Sequence, residues 1–194
     1  MISSSKLISD KDGVSLLMTN EGDIVKFKVN FNIYNPLIDV KTIIGFKLFE
    51  LMGAINKDII DEVKIIKHDD SHCNTLMVLK KIGEELGLSQ KYIFSDVKLS
   101  WNKEHTIAQF VSTQEVIPTN VVIPSGSESV TTSDSVFIIK VSLDTHTALV
   151  TYAFSLVIDS SMPKYMRRMP GNIMHTVFLR VKKFIENLGT DSKE

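Results

Sequence analysis

The stretch 160–188, SSMPKYMRRMPGNIMHTVFLRVKKFIENL, constrains this chain more than any other. Its apolar residues fall at Met162, Met166, Met169, Ile173, Val177, Val181, Phe184 and Leu188, always three or four apart. Met174, Phe178 and Ile185 widen the stripe. That is the period of an amphipathic helix with one broad buried face. Ser160 or Ser161 is placed to cap its start, Pro163 suits the first turn, and Gly189 can close the end. Pro170-Gly171 predicts a kink or a split into two pieces. A helix this long, arriving after many strands, must lie against the sheet those strands make.

The rest of the chain reads mostly as strands. Residues 14–19 form a short apolar run, and Asn20, Glu21, Gly22 and Asp23 supply the turn after it. In 25–33, Val25, Phe27, Val29, Phe31 and Ile33 alternate with Lys26, Lys28, Asn30 and Asn32. Strict period two means one buried and one wet face, as in an antiparallel sheet open to water on one side. Asn35-Pro36 ends this strand. The period then changes, and 38–55 predicts a helix with Asp39 near its start. A short second helix over 57–61 is also expected. Strands resume at 62–68 and 75–82, with Met77 and Leu79 on one face and Leu76 and Val78 on the other. The segment 83–89 reads as a loop or a single helical turn. Residues 92–102 and 106–117 predict a hairpin, as do 136–144 and 147–159. Between them, 118–134 (PTNVVIPSGSESVTTSD) has the composition of a mobile loop, although Val121, Val122 and Ile123 have no obvious core to enter.

The pattern predicts an α+β fold. A curved antiparallel sheet of about eight or nine strands wraps a long C-terminal helix, with one or two short helices inserted after the second strand. A sheet bent around a helix need not touch it everywhere, so an apolar cavity is expected between them. The length of 194 residues suits one domain.

A net charge of −1 argues against nucleic acid as a partner. Basic residues nonetheless gather on the last helix, where Lys164, Arg167, Arg168, Arg180, Lys182 and Lys183 face only Glu186. Such a face is either solvated or meets anionic lipid head groups. The single Cys73 excludes an intramolecular disulfide and fits a reducing compartment. No apolar run is long enough to span a bilayer, and the N-terminus lacks a secretory apolar centre. A cytoplasmic, monomeric protein with peripheral membrane contact is expected. No Gly-rich phosphate loop, serine elbow or metal-ligand spacing is present, so no catalytic residue, cofactor or metal is expected. His68, His72 and Cys73 lie close in sequence but flank a turn. His175 borders the apolar stripe, and Glu115 sits in an apolar strand, where pointing inward would make it a ligand anchor.

Several short segments, in order, resemble the steroidogenic-acute-regulatory-related lipid-transfer (START) domain of the helix-grip superfamily. Lys11-Asp12-Gly13-Val14 is similar to the entry to that domain's first strand. Leu48-Phe49-Glu50-Leu51-Met52 sits at its small helices. Phe94-Ser95-Asp96 resembles its "sRDf" segment, with Ser95 in place of the arginine. Thr113 to Pro118 resembles the stretch that follows, and Val157-Ile158-Asp159 through Met162-Pro163-Lys164-Tyr165-Met166 resembles the entry to the last helix. The resemblance covers residues 11–188.

It implies a single lipid-binding domain over 1–194 that encloses one lipid, a phospholipid, sterol or related molecule, and transfers it between membranes or senses it. From the strands, the inward candidates for the lipid-binding wall are Phe27, Val29, Phe31, Trp101, Phe110, Phe137, Ile139, Tyr152, Phe154 and Leu156. From the helix they are Met166, Met169, Ile173 and Val177. The methionines suit a wall that adapts to varied apolar shapes. Leu86 and Leu88, with Lys164, Arg167 and Arg168, are the expected membrane contacts. Two other classes of function stay open: an enzyme of the same superfold, such as a cyclase or hydrolase of hydrophobic substrates, and a protein-interaction module acting through the 118–134 loop.

Overall fold

The structure, a computed structural model, describes residues 5–82 and 88–190. Ten strands form one sheet. They are β1 (Lys6–Lys11), β2 (Val14–Glu21), β3 (Ile24–Tyr34), β4 (Ile60–Lys67), β5 (His72–Leu79), β6 (Lys91–Trp101), β7 (Ile107–Gln114), β8 (Glu128–Ser129), β9 (Ser135–Val141) and β10 (Thr147–Val157). The spatial order is β1-β2-β3-β10-β9-β7-β6-β5-β4, antiparallel throughout, with β8 added in parallel to β6. Two helices accompany the sheet: α1 (Lys47–Ile55) and α2 (Lys164–Asn187). This is the helix-grip arrangement that the sequence predicts, with an extra edge strand, β1, at its start.

The middle of the sheet is built as its period dictates. In β3, Val25, Phe27, Val29, Phe31 and Ile33 are buried, and the residues between them face outward. β3 pairs along its whole length with β10, from Tyr34↔Thr147 to Ile24↔Val157. This pairing joins the opening hairpin to the last one and makes the sheet continuous.

Helix α2 packs on β2 and β3 at one side of the sheet, not across its middle. Gly171 makes that closeness possible. A Cβ there would lie 2.5 Å from two ring carbons of Phe27. α2 is one continuous helix, not split at Pro170-Gly171. Pro170 lies in the second turn, where its missing N–H removes a single rung from a ladder of 24 residues. The serines do not cap its start. Pro163 holds the cap position, and Asp159 accepts from the Ser161 N–H at 2.8 Å in the turn before it. At the other end Gly189 has a φ of +81°, the left-handed conformation that ends helices.

Three other expectations need correction. The helix over 38–55 is broken: a 3-10 turn at Val40–Ile43, capped by Asp39, precedes α1, with Gly45 between. The segment 57–61 is a turn running straight into β4, not a helix. The segment 118–134 is packed, not a free loop. β5 and β6 are apolar on both faces, and Leu76, Val78 and Phe94 on the outer face are covered by Val121, with Ile117 and Ile123 beside it. Val121 is 7% exposed, whereas its neighbour Val122 is 82% exposed. The same segment pairs with β6 through β8 and bridges β10 through Thr132↔Leu156.

Cys73 is fully buried on the inner face of β5. Burial, helped by the nearby Asp96 charge, pushes its thiol from the usual 9.0 up to about 12. The reactive species is the thiolate, so the folded protein should resist alkylation in mildly alkaline buffer and react fully once unfolded in denaturant. Because the folded thiol holds its proton more tightly than the unfolded one, this residue's contribution is intact below pH 9.0 and is lost as pH rises toward about 12. Rapid labelling of the native chain, or stability that rises across that window, contradicts this burial.

Candidate functional site

Because α2 lies to one side, the half of the sheet from β5 to β10 is left without a closely packed helix. A cavity of about 430 Å³ fills that space. Its helix wall is Met166, Met169, Ile173, Met174 and Phe178, with Met162 just before the helix. Its sheet wall comes from alternate, inward positions: Thr75, Met77 and Leu79 on β5, Ile93 and Ser95 on β6, Ser112 on β7, Ser135 and Phe137 on β9, and Tyr152, Phe154 and Leu156 on β10. Phe49 and Met52 of α1 and Val63 of β4 close the deep end. The mouth lies where 88–91, 129–132 and 157–162 meet. A volume of this size is in the usual range for sites that enclose a small organic molecule, roughly 300–1,000 Å³.

An aromatic cluster divides cavity from packed core. Phe137, Tyr152 and Phe178 meet pairwise with ring centroids 5.2 to 5.9 Å apart. Phe154 stacks on Tyr152 from one side and on Phe27 from the other, both at 5.1 Å. Tyr152 lies deep in the fold, and the surface it retains faces the cavity. Burial raises its phenol above the usual 10.0, and a hydrogen bond with Ser135 works against that.

The predicted wall residues divide into two groups. Phe137, Tyr152, Phe154, Leu156, Met166, Met169 and Ile173 line the cavity together. Phe27, Val29, Phe31, Phe110, Ile139 and Val177 are buried in the main core, off the cavity lining. Trp101, at the end of β6, packs against that core and near the His105 ring. All of these face inward, as their period requires. Only the offset of α2 decides which meet a neighbour and which meet space. The wall also contains residues that the sequence pattern does not single out, above all Thr75, Ser95, Ser112 and Ser135. Their inward alternation is visible in the sequence, but small hydroxyl side chains carry no apolar signal.

Among the expected membrane contacts, Leu88 lies on the cavity wall near the mouth, and Leu86 lies outside the described residues. Arg167 donates from Nη2 to the Gly22 carbonyl at 2.7 Å, tying α2 to the β2–β3 turn. Lys164 is exposed and Arg168 half-buried, and among the described residues neither has an ion-pair or hydrogen-bond partner. The other helix cations are committed: Arg180 to Asp58, Lys183 to Asp12 at 2.7 Å, and Lys182 to Glu186. Exposed apolar side chains crowd the same end: Met162, Tyr165, Val157 and Ile24.

The remaining polar candidates stay clear of the cavity. His175 is buried and donates from Nε2 to the Val14 carbonyl at 2.9 Å. Glu115 is exposed, just past the end of β7. The His68 and His72 rings meet at 4.6 Å, tilted by 37°, beside the β4–β5 turn, and are bonded to Asn74 and Asp96 respectively. Among the described residues no three His, Cys, Asp or Glu side chains converge as metal ligands, and no helix is long and apolar enough to cross a membrane.

Several solved lipid-transfer domains of the START type share this architecture. Human STARD10 superposes with a TM-score of 0.72 over 97% of this chain and 76% of its own, at 11% identity. The chain adopts the START fold. The lipid transfer and protein localization domain of human StarD13 gives 0.68 over 96% and 91%, at 11% identity. A STAR-related lipid transfer protein from Xanthomonas axonopodis gives 0.68 over 93% and 98%, at 10% identity. No protein-family model matches the sequence, and no curated protein is similar enough to match. The likeness therefore resides in the START fold, with identities too low to carry over any ligand.

Proposed function

We propose that this chain encloses one lipid or other hydrophobic molecule in the cavity and carries it between membranes, or senses it, without chemistry upon it. The observation that carries this reading is the hollow itself. It has methionines on one wall, aromatics at its base, and a mouth ringed by exposed apolar side chains. Each methylene of an acyl chain moved from water into such a site gains about 0.8 kcal/mol. A bilayer offers the chain a similar gain, so extraction is close to neutral, and opening the mouth at the membrane sets the rate. Met162 and Tyr165 would enter the interface there, with Lys164 and Arg168 against anionic head groups and Leu88 at the rim.

The test is extraction of the purified protein with organic solvent followed by lipid mass spectrometry, then transfer between donor and acceptor vesicles. Stoichiometric lipid and measurable transfer are expected; an empty, inert protein sinks the reading. A juxtamembrane cation is worth about 1 kcal/mol against an anionic leaflet. Lys164→Ala with Arg168→Ala should therefore weaken co-sedimentation with anionic vesicles roughly 30-fold and leave neutral vesicles unaffected. Equal loss on both vesicle types contradicts the electrostatic contact.

A further inference from the structure

The sheet wall of the cavity is not uniformly apolar. Thr75 pairs with Ser95 across β5–β6, and Ser112 pairs with Ser135 across β7–β9. All four side chains line the cavity. They make two hydroxyl pairs on four neighbouring strands, offset from each other by two residues at β6–β7, where Ser112 lies opposite Val97 and Ser95 opposite Gln114. The hydroxyls thus form a stepped row about 16 Å long at the usual strand spacing and rise. Tyr152, on the neighbouring strand β10, adds a phenol to the same wall. Thr75, Ser95 and Ser112 make no side-chain hydrogen bond with any described residue, although Ser95 is only 6% exposed. Nor are their oxygens sealed away, because the cavity reaches them. Buried polar groups are ordinarily paired, so a partner for this row must come from within the cavity.

The charges on the lining tell the complementary half. The charged residues on the lining are Lys80, Lys91 and Asp159, all at least partly exposed to solvent, and each is already occupied: Lys80 by Asp61, Lys91 by Glu128 and Ser89, Asp159 by Ser161. Among the described residues no other charged side chain lines the cavity. An anionic head drawn inside would lose its water and meet only hydroxyls, and a buried, uncompensated charge is far costlier than a buried neutral polar group.

We infer that the cavity selects a lipid with an uncharged head, whose hydroxyl or carbonyl oxygens bond to the row Thr75–Ser95–Ser112–Ser135, and that it discriminates against the same chain bearing a phosphate. This rests on the lipid-carrier reading and narrows it to neutral lipids such as monoacylglycerols or long-chain alcohols.

The test uses the full chain and a matched pair of ligands, a monoacylglycerol and the lysophosphatidate of the same acyl chain, with a hydrocarbon probe of equal length as a third. Each is presented in neutral vesicles, and protein-bound ligand is measured after gel filtration. The monoacylglycerol should bind at least about tenfold more tightly than the lysophosphatidate. Ser95→Ala combined with Ser112→Ala and Ser135→Ala should erase that preference, while the hydrocarbon probe binds at least as tightly as before. Equal or tighter binding of the lysophosphatidate overturns the inference, and so does a triple variant that keeps the preference. Binding of none of the three ligands overturns the carrier reading itself, a result distinguishable from lipids that bind without regard to their heads.

Discussion

Asn35→Asp should destabilise the fold by about 3–5 kcal/mol at neutral pH, the cost of leaving a buried charge uncompensated. Asn35 is fully buried at the end of β3. Its side-chain amide donates to the carbonyls of Ile185 at 2.7 Å and Leu188 at 3.0 Å, and its Oδ1 accepts from the Leu37 N–H at 2.8 Å. One side chain thus satisfies the open end of α2 and fixes the turn after β3. Aspartate keeps the shape but removes both donors. It also aims a negative charge at helix carbonyls, the negative end of the dipole. The sign of the pH dependence follows. The buried carboxyl would have a raised pKa, so the variant keeps most of its stability in acid, below the unfolded value of about 3.9. It loses stability as pH rises through the folded value. Asn35→Leu leaves the carbonyls unsatisfied without the charge and should cost about 2–3 kcal/mol at any pH. Urea unfolding at neutral and acid pH separates the two. An aspartate variant within about 1 kcal/mol of the parent at neutral pH would mean that this amide does not hold the helix end.

Gly171→Leu should cost at least about 3 kcal/mol, and Gly171→Ala a net of up to about 2 kcal/mol, the upper end of the overpacking range less the propensity gain. Two effects oppose each other for alanine. In a helix interior it is favoured over glycine by about 1 kcal/mol. Against this, its Cβ would sit 2.5 Å from the Phe27 ring and 3.3 Å from Leu16. Phe27 cannot yield, because it is 2% exposed and stacked on Phe154 at 5.1 Å. Overpacking of this kind costs about 1–3 kcal/mol for a small group and more for a large one. The helix must move away from β2 and β3, so the clash outweighs the propensity. Gly45→Ala is the control. A Cβ at that position would have no heavy atom within 4 Å, so stability should change little. Thermal melts of the three variants decide the matter. A Gly171→Ala variant as stable as the parent shows that α2 does not need this close approach. The shift should also reach the cavity, because Met166, Met169 and Ile173 ride on the same helix.

Asn35 and Gly171 illustrate what a sequence conceals. Asn35-Pro36 reads as a strand terminator, which it is, but nothing local reveals that its amide reaches a helix 150 residues later in the chain. Gly171 beside Pro170 reads as a breaker, whereas its real role is to let a phenylalanine ring approach. Edge strand β1 escapes sequence reasoning for a simpler reason. KLISDK buries neither face fully and so shows no clean alternation. The segment 118–134 looks unstructured because its apolar residues are few. Their partners, Leu76, Val78 and Phe94, lie on other strands, where the pattern shows them only as the second face of each.

What is legible rests on period. The steps of three and four in 160–188 and the alternation in 25–33 are set by helix and strand geometry, and any chain carrying them must bury those faces somewhere. They therefore determined a long final helix, an antiparallel sheet, and which side chains turn inward. Tertiary structure alone decided where the inward faces touch. Strand order placed β3 beside β10, and the bare Gly171 drew α2 down on that side of the sheet. The opposite side was left open, with Ser95 and its neighbouring hydroxyls facing a hollow. Local pattern specifies direction, but whether a side chain ends in contact or in empty space depends on the distance between elements far apart in the chain.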